Sequence, residues 1–390
     1  MSPEKEKRLP GSVVICLGSL SRGGAERVAL GVAAELIKRG SEVTVATTFI
    51  SEDEYPVPDG VKRIVSGLEP EEEEKGPAGR IINISRRIKK IRRIFGEIRP
   101  DLILSFIGKN NIMALIAAKP LGIPVAVSVR ADPAMEYDTA ILKLLADITF
   151  PRAAGVIFQT EEAKRSFPPA VRKKAVILPN LIRDEFLNTP LCPDEERKRI
   201  IVNVGRLDPN KNQVLIMRAF HRSGVWQGKE GWKLLICGDG EDREKLAALS
   251  RELGLEKNVD LAGSVKDVAG RIRDAEIFVL ASRQEGMPNA LIEAMALGLC
   301  PVSTDCPCGG PAELIDNGTN GLLIPLSDDE KLETELSEAF RKLADDAAYR
   351  RSLGSHAARD IRELFDTQVV YDRWIDFLST AGAGQSSSGV

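Results

Sequence analysis

One pattern limits the possible folds more than any other. Short, nearly unbroken apolar runs alternate with stretches of helical periodicity along the chain. The runs are SVVICLG, EVTVATT, DLILSF, PVAVSV, GVIFQT and AVILPN, then RIIVNVG, KLLICG, VDLAG, IFVLAS, PVST and GLLIP. Side chains of a strand point alternately to the two sheet faces, so a strand that is apolar throughout must be covered on both. Such strands separated by amphipathic helices give parallel sheets between helical layers, an α/β fold. A length of 390 residues suits two such domains. The expected division is 1–181, a polar and proline-punctuated linker over 182–198, and 199–365. A last helix over 366–380 carries Tyr371, Trp374 and Phe377, and a small, polar tail, 381–390, is expected to be disordered.

Composition removes several function classes. The net charge of −3 gives no general attraction to nucleic acid. No apolar run approaches the roughly 20 residues that span a bilayer, and the first residues lack the apolar segment of a secretory signal. The six cysteines, Cys16, Cys192, Cys237, Cys300, Cys306 and Cys308, show no CxxC pairing, and His221 and His356 are the two histidines. No zinc centre is expected, and reduced thiols in the cytosol are the plain reading.

Chemistry concentrates in SRQEGMPNALIEAMALGLCPVSTD. Glu285 follows the apolar run IFVLAS, and Pro288 and Asn289 stand where the helix ALIEAMALG should begin, with Glu293 about one turn inside it. Ligands of open α/β sheets bind at the carboxyl edge of the strands, so both carboxylates can face one crevice. The helix start between them offers unpaired N–H groups and a positive dipole end, which suits a phosphate. Carboxylates accept hydrogen bonds from hydroxyls. Two hydroxyl acceptors around one phosphate seat fit a nucleotide-sugar. The competing reading makes both glutamates ordinary surface charge. In RIIVNVGRLDPNKNQVLIMRAF, Arg206 and Lys211 follow a strand and precede a helix, where two cations can clamp a diphosphate. In LLICGDGEDREKL, Gly238 and Gly240 permit a tight turn or a close approach to a ligand.

The run E-G-M-P-N-A-L-I-E-A-M-A-L-G, continued by P-V-S-T-D, G-G-P-A-E-L-I and N-G-L-L, resembles the retaining glycosyltransferases of family four. The resemblance implies a GT-B fold: two facing Rossmann-like domains, with a C-terminal helix crossing back to the first. It implies that Glu285 holds the transferred sugar and Glu293 the ribose. Arg206 and Lys211 would stabilise the leaving diphosphate. Donor contacts would come from Gly286, Met287, Pro288, Asn289, Ala290 and Leu291, the last three through N–H groups. Val265 would lie by the base, and Gly23 and Gly24, in LSRGGAERV, would line the crevice near the donor phosphates; otherwise that glycine pair is a plain helix start. No D-x-D pair accompanies these residues, so no metal and no cofactor is expected beyond the UDP-sugar co-substrate.

Many relatives place a histidine near the reactive carbon, whereas residues 1–220 here contain none. Arg130, Asp132 and Glu136, in PVAVSVRADPAMEYD, are the polar candidates for acceptor binding, and this stretch looks like one in a subgroup that builds lipid-linked bacterial glycans. Asp132 either orients the acceptor hydroxyl or caps a helix. The segment RIINISRRIKKIRRIFGEIRP sets eight basic residues against Glu97, with Ile81, Ile84, Ile88, Ile91, Ile94, Phe95 and Ile98 as one helical stripe. Either the stripe packs on the sheet with its cations solvated, or Lys89, Lys90, Arg92 and Arg93 meet anionic lipid or an acceptor phosphate. The preceding EPEEEEKG run either offsets that charge or flexes.

The resulting expectation is a retaining, metal-independent transferase. It moves a hexose or N-acetylhexosamine from a UDP-sugar to a lipid-linked glycan, in the cytoplasm or peripherally on the membrane's cytoplasmic face. A UDP-N-acetylglucosamine 2-epimerase is the rival chemistry, but it needs acid and base groups beside the anomeric carbon. A non-catalytic, membrane-associated partner subunit is the third alternative.

Overall fold

The computed structural model describes residues 8–69, 73–228 and 231–383. The chain divides into two units, one running to Leu181 and resuming at Gln368, the other Ile182–Thr367. The first holds β1 (Ser12–Leu17), β2 (Glu42–Thr47), β3 (Lys62–Val65), β4 (Leu102–Phe106), β5 (Val125–Ser128), β6 (Gly155–Phe158) and β7 (Ala175–Ile177). They form one sheet in the order β3-β2-β1-β4-β5-β6-β7. The second holds β8 (Lys198–Val204), β9 (Lys233–Cys237), β10 (Val259–Gly263), β11 (Ala275–Leu280), β12 (Cys300–Asp305) and β13 (Leu322–Pro325), in the order β10-β9-β8-β11-β12-β13. All pairings between these strands are parallel. In both sheets the order of strand addition reverses beside the first strand, so each has a switch point, between β1 and β4 and between β8 and β11.

The second unit shows why its strands read as continuous apolar runs. Ile201, Leu234, Ile236, Ile277 and Val279 pack on one side with the helix Gln213–Ser223. Their neighbours Val202, Leu235, Cys237, Phe278 and Leu280 pack on the other with the helix Asn289–Ala296. The helices on the two faces thus leave these strands no solvated side.

In the first unit the helix Thr367–Ala383 packs on the sheet. Trp374 is wholly buried and stacks on Phe106 with ring centroids 6.0 Å apart. Gly155 is required by this helix, because a Cβ there would stand 2.6 Å from the Phe377 ring. The helix continues past 380, and of the tail expected over 381–390, residues 384–390 lie outside the described ones.

Other local expectations need correction. Strand β3 was not anticipated: its KRIV is short, half polar and at a sheet edge, so it lacks the doubly covered signature. The segment 182–198 is no free linker, since Ile182 and Phe186 are buried in the second unit's core. The isoleucine stripe on the helix Gly76–Ile98 is split. Ile91, Ile94 and Phe95 are buried, whereas Ile81, Ile82 and Ile84 face solvent. Of the preceding acidic run, residues 70–72 lie outside the described ones, but Glu73 pairs with Arg87 and Glu74 with Arg86.

Candidate active site

The carboxyl ends of β8 and β11 are joined by a polar clasp. Asn210, in the loop after β8, accepts from the Gln284 N–H at 3.1 Å and donates to the Gln284 carbonyl at 3.0 Å. Its own carbonyl accepts from the Arg283 N–H at 2.8 Å. Asp208 accepts from the Lys211 N–H at 2.9 Å, and Asn212 turns left-handed (φ 56°) to start the helix Gln213–Ser223. Held this way, the Lys211 ammonium forms an ion pair with Glu285. The same carboxylate accepts from the Ser282 hydroxyl at 2.7 Å. Thr304 fixes that serine by donating to its carbonyl at 2.6 Å, and Cys306 approaches the same carbonyl at 3.2 Å. Burial pushes the Cys306 thiol up to about 12, so it serves as a packed group and not as a thiolate.

Glycines set the backbone spacing here. Gly238 (φ 147°) lies where a Cβ would stand 1.8 Å from the Gly205 carbonyl oxygen, and at Gly240 a Cβ would stand 2.4 Å from that of Leu207. Both glycines therefore bring the β9 loop onto the β8 loop, which is the tight-turn reading. Gly310 lies against the Gly286 carbonyl, and Pro288 is buried beside it.

The helix Asn289–Ala296 begins directly after this loop, with Pro288 as N-cap. The Leu291 and Ile292 N–H groups donate to the Pro288 carbonyl at 3.2 and 3.3 Å. Leu291 is thus not a free donor, a correction to the expected set. The Asn289 and Ala290 N–H groups have no partner among the described residues and remain for an anion. The Met287 and Leu291 side chains are core, so only their backbone can line a site. Val265 packs on the same core, half-buried.

Not all of the expected residues converge. Arg206 is 83% exposed at its side chain and pairs with Asp208 at 3.4 Å, not with Glu285. Glu293 is 5% exposed and is held by a residue that the sequence does not point to. Arg183 donates through Nε to one Glu293 oxygen at 3.1 Å and through Nη2 to the other at 3.2 Å. Arg183 and Asn210 were both missed, because their partners lie far along the chain and no spacing rule connects them.

In the first unit, Gly23 caps the helix Gly24–Lys38 without a side chain, and a Cβ there would stand 2.2 Å from a Glu26 oxygen. Burial raises the carboxyl pKa of Glu26. The acceptor candidates turn inward. Asp132 accepts from the Ala134 N–H at 2.9 Å, which is the capping role, and lines a pocket of about 130 Å³ with Tyr137, Lys143 and Phe167. Glu136 accepts from the N–H groups of Gly108, Arg130 and Ala131 at 2.9, 2.6 and 2.7 Å. Burial raises its carboxyl against those bonds and against the Arg130 charge. Arg130 donates to Asn180 and to the Leu178 carbonyl, and lies 5.7 Å from the centroid of Trp374. Burial lowers its guanidinium to about 9, still protonated at neutral pH. Arg130 and Glu136 thus brace strand ends instead of presenting charge to an acceptor. Of the basic-helix cations, Lys90 donates to the Gly67 carbonyl and Arg92 to the Ala117 carbonyl at 3.3 Å. Arg93 pairs with Glu97, and Lys89 is exposed.

The comparisons follow the two units. Residues 193–360 match the family model described as glycosyl transferases group 1, and residues 23–180 match that of a glycosyl transferase 4-like domain. One relative, from Campylobacter jejuni, is 26% identical over 93% of this chain and 97% of its own length. It is named GalNAc-alpha-(1->4)-GalNAc-alpha-(1->3)-diNAcBac-PP-undecaprenol alpha-1,4-N-acetyl-D-galactosaminyltransferase. The amylovoran biosynthesis glycosyltransferase AmsD of Erwinia amylovora is 24% identical over 94% of this chain and 99% of its own. Among solved structures, Anabaena HepE in complex with UDP has the same fold, with a TM-score of 0.75 and 18% identity over 93% of this chain and 98% of its own. Two adjoining family matches, one on each Rossmann-like unit, agree with that architecture, and the chain belongs to the group 1 glycosyltransferases, with a GT-B fold.

Proposed function

We propose that this chain transfers a hexose or N-acetylhexosamine from a UDP-sugar to a hydroxyl of a lipid-linked glycan in bacterial surface glycan synthesis. The observation that carries the reading is the clasp at the β8–β11 switch point. It sets Lys211 against Glu285 in the loop before a helix start with two unpartnered N–H groups. In this proposal Glu285 holds the sugar hydroxyls and Glu293 the ribose. Lys211 and the N–H groups of Asn289 and Ala290 take the diphosphate, and the exposed Arg206 side chain closes on it once bound. The UDP complex of HepE and the undecaprenol-linked substrate in the Campylobacter relative's name support the donor and acceptor classes.

The proposed chemistry is a same-face displacement with retention. The acceptor oxygen bonds to the anomeric carbon, the bond from that carbon to the phosphate oxygen breaks, and the departing phosphate oxygen takes the acceptor proton. Lys211 and the helix start offset the charge left on the diphosphate, so no metal is invoked. The direct test is a panel of UDP-sugars with a short undecaprenyl-diphosphate glycan, with the product linkage read by NMR. An α-linked product from an α-linked donor, formed equally in a chelator, is expected. An epimerised donor in the absence of acceptor, a β-linked product or loss of turnover in the chelator would contradict the reading.

Peripheral contact with an anionic cytoplasmic bilayer face is part of the proposal. No helix among the described residues is long and apolar enough to cross a membrane. The helices Gly76–Ile98 and Ala140–Thr149 both pack on the helix Gly108–Ala118. They expose Ile81 and Ile84, and Ile141, Leu144 and Ile148, and the first helix also exposes Lys89 and Arg93 further along its length. Charge reversal at Lys89 and Arg93 should weaken sedimentation with phosphatidylserine vesicles; unchanged sedimentation would refute that role.

A further inference from the structure

The Glu285 carboxylate is held by one oxygen only. Oε1 accepts from the Ser282 hydroxyl at 2.7 Å and from the Lys211 ammonium. Oε2 has no hydrogen-bond partner among the described residues. The side chain is 11% exposed, so the carboxylate is not sealed off.

The two donors on Oε1 differ in kind. Lys211 carries three N–H groups on a flexible stem, and in the reading above it also takes the diphosphate. Ser282 has no such freedom. It is wholly buried just past β11, and its carbonyl accepts from the Thr304 hydroxyl at 2.6 Å and the Cys306 thiol at 3.2 Å. The residues between it and Glu285 are fastened to Asn210, Arg283 by its N–H at 2.8 Å and Gln284 by its own at 3.1 Å. The hydrogen bond from Ser282 to Glu285 thus closes a short loop that is pinned at its middle. The terminal torsion of a glutamate is broad, so a carboxylate tied only to a mobile ammonium follows that ammonium when it moves. A charge-assisted bond from a fixed hydroxyl prevents this.

We propose that Ser282 is a positioning residue for the donor sugar: by holding Oε1 of Glu285 it keeps Oε2 available to a sugar hydroxyl while Lys211 engages the diphosphate. The inference rests on the assignment of Glu285 to the sugar. Ser282 touches the carboxylate and not the ligand, so its effect is confined to ligands that carry the sugar.

The test is calorimetry. UDP and the UDP-linked forms of glucose, galactose and their N-acetylamino counterparts are titrated into wild type, and the tightest-binding sugar donor is carried forward beside UDP. Ser282→Ala should bind that donor about tenfold more weakly, the size of one hydrogen bond to a charged group, with its affinity for UDP unchanged. In a Glu285→Ala background the same substitution should cost nothing further for either ligand, because its only route to the sugar is gone. A parallel loss for UDP and the donor is what a merely structural serine predicts, and it would overturn the proposal. So would unaltered donor binding in Ser282→Ala, or a further loss of donor binding in the Glu285→Ala background. If Ser282→Ala does not fold, Ser282→Cys, a poorer hydrogen-bond donor of similar shape, decides by the same comparison of the two ligands. Donor binding by Glu285→Ala that equals wild type would instead remove the sugar assignment of Glu285 itself.

Discussion

Replacing Gly310 with alanine should damage the site without altering any side chain in it. Gly310 has ordinary helical dihedrals (φ −57°, ψ −51°), so an alanine meets no backbone strain. Its Cβ, however, would stand 1.4 Å from the Gly286 carbonyl oxygen and 3.2 Å from Pro288 Cδ. Real Cβ contacts stay beyond 3.0 Å, so one of the two segments must retreat by about 1.6 Å. Gly286 is the residue after Glu285 and lies in the loop that leads into the helix Asn289–Ala296. A misplacement of ~1 Å in a catalytic arrangement costs about 10²-fold in rate, and overpacking of this kind costs about 1–3 kcal/mol of stability. The expected result is a kcat/KM at least ~10²-fold below wild type with a protein that is still folded. Initial rates at subsaturating donor read the first quantity, and circular dichroism with a denaturant melt reads the second. Gly96→Ala is the matched control, because its Cβ would stand 3.9 Å from Leu121 in a helix interior and should stabilise by about 0.5–1 kcal/mol. A folded Gly310→Ala enzyme with wild-type kcat/KM would refute the view that this contact sets the position of the Glu285 loop.

Three further outcomes follow from single contacts. Lys211→Ala should lower kcat by about 10²–10³, the usual cost of removing one donor to a developing negative charge; an unchanged kcat at saturating donor would end its assigned role. Asp132→Ala should cost about 1 kcal/mol in a denaturant melt and Asp132→Asn almost nothing, as for an N-cap. Both should keep kcat, and a kcat lost in Asp132→Asn, which keeps the cap, would restore an acceptor role. Glu54 is bound by the Arg63 guanidinium at 2.6 and 3.0 Å and by the Ser51 and Leu20 N–H groups. Chiefly through Arg63, these partners draw its carboxyl down to about 2 from 4.5. A lowered folded-state pKa stabilises the fold above the unfolded value. The advantage of wild type over Glu54→Gln should therefore be complete above pH 4.5 and vanish as the pH falls to about 2. A difference in melting midpoint that does not change over that window would contradict this.

The strands are legible in the sequence because helices cover both their faces. Ile277, Phe278, Val279 and Leu280 are all buried, on alternating sides of one sheet. Strand β3 is not legible, since an edge position leaves Lys62 and Arg63 free to be polar. Position after a strand is readable, and so Glu285, Lys211, Asp132 and Glu136 all stand out in the sequence. The direction in which each side chain turns is not. Lys211 turns to Glu285 because Asn210 stitches two loops together, and Glu136 turns inward because three N–H groups converge on it. Arg183 shows the limit most clearly: it precedes its partner by 110 positions, and in the sequence it is one cation in a polar segment. The basic helix misleads for a related reason. A period can show that Ile81 and Ile94 share a stripe, but not that the neighbouring helix covers only the end that carries Ile94.

The central claim is that the carboxyl edge of β8 and β11 receives an activated sugar, and a structure of the protein soaked with UDP tests it most directly. The account predicts diphosphate oxygens on the N–H groups of Asn289 and Ala290 and on the Lys211 ammonium, with both ribose hydroxyls on Glu293. UDP bound away from these four residues, or with its ribose turned from Glu293, would contradict it.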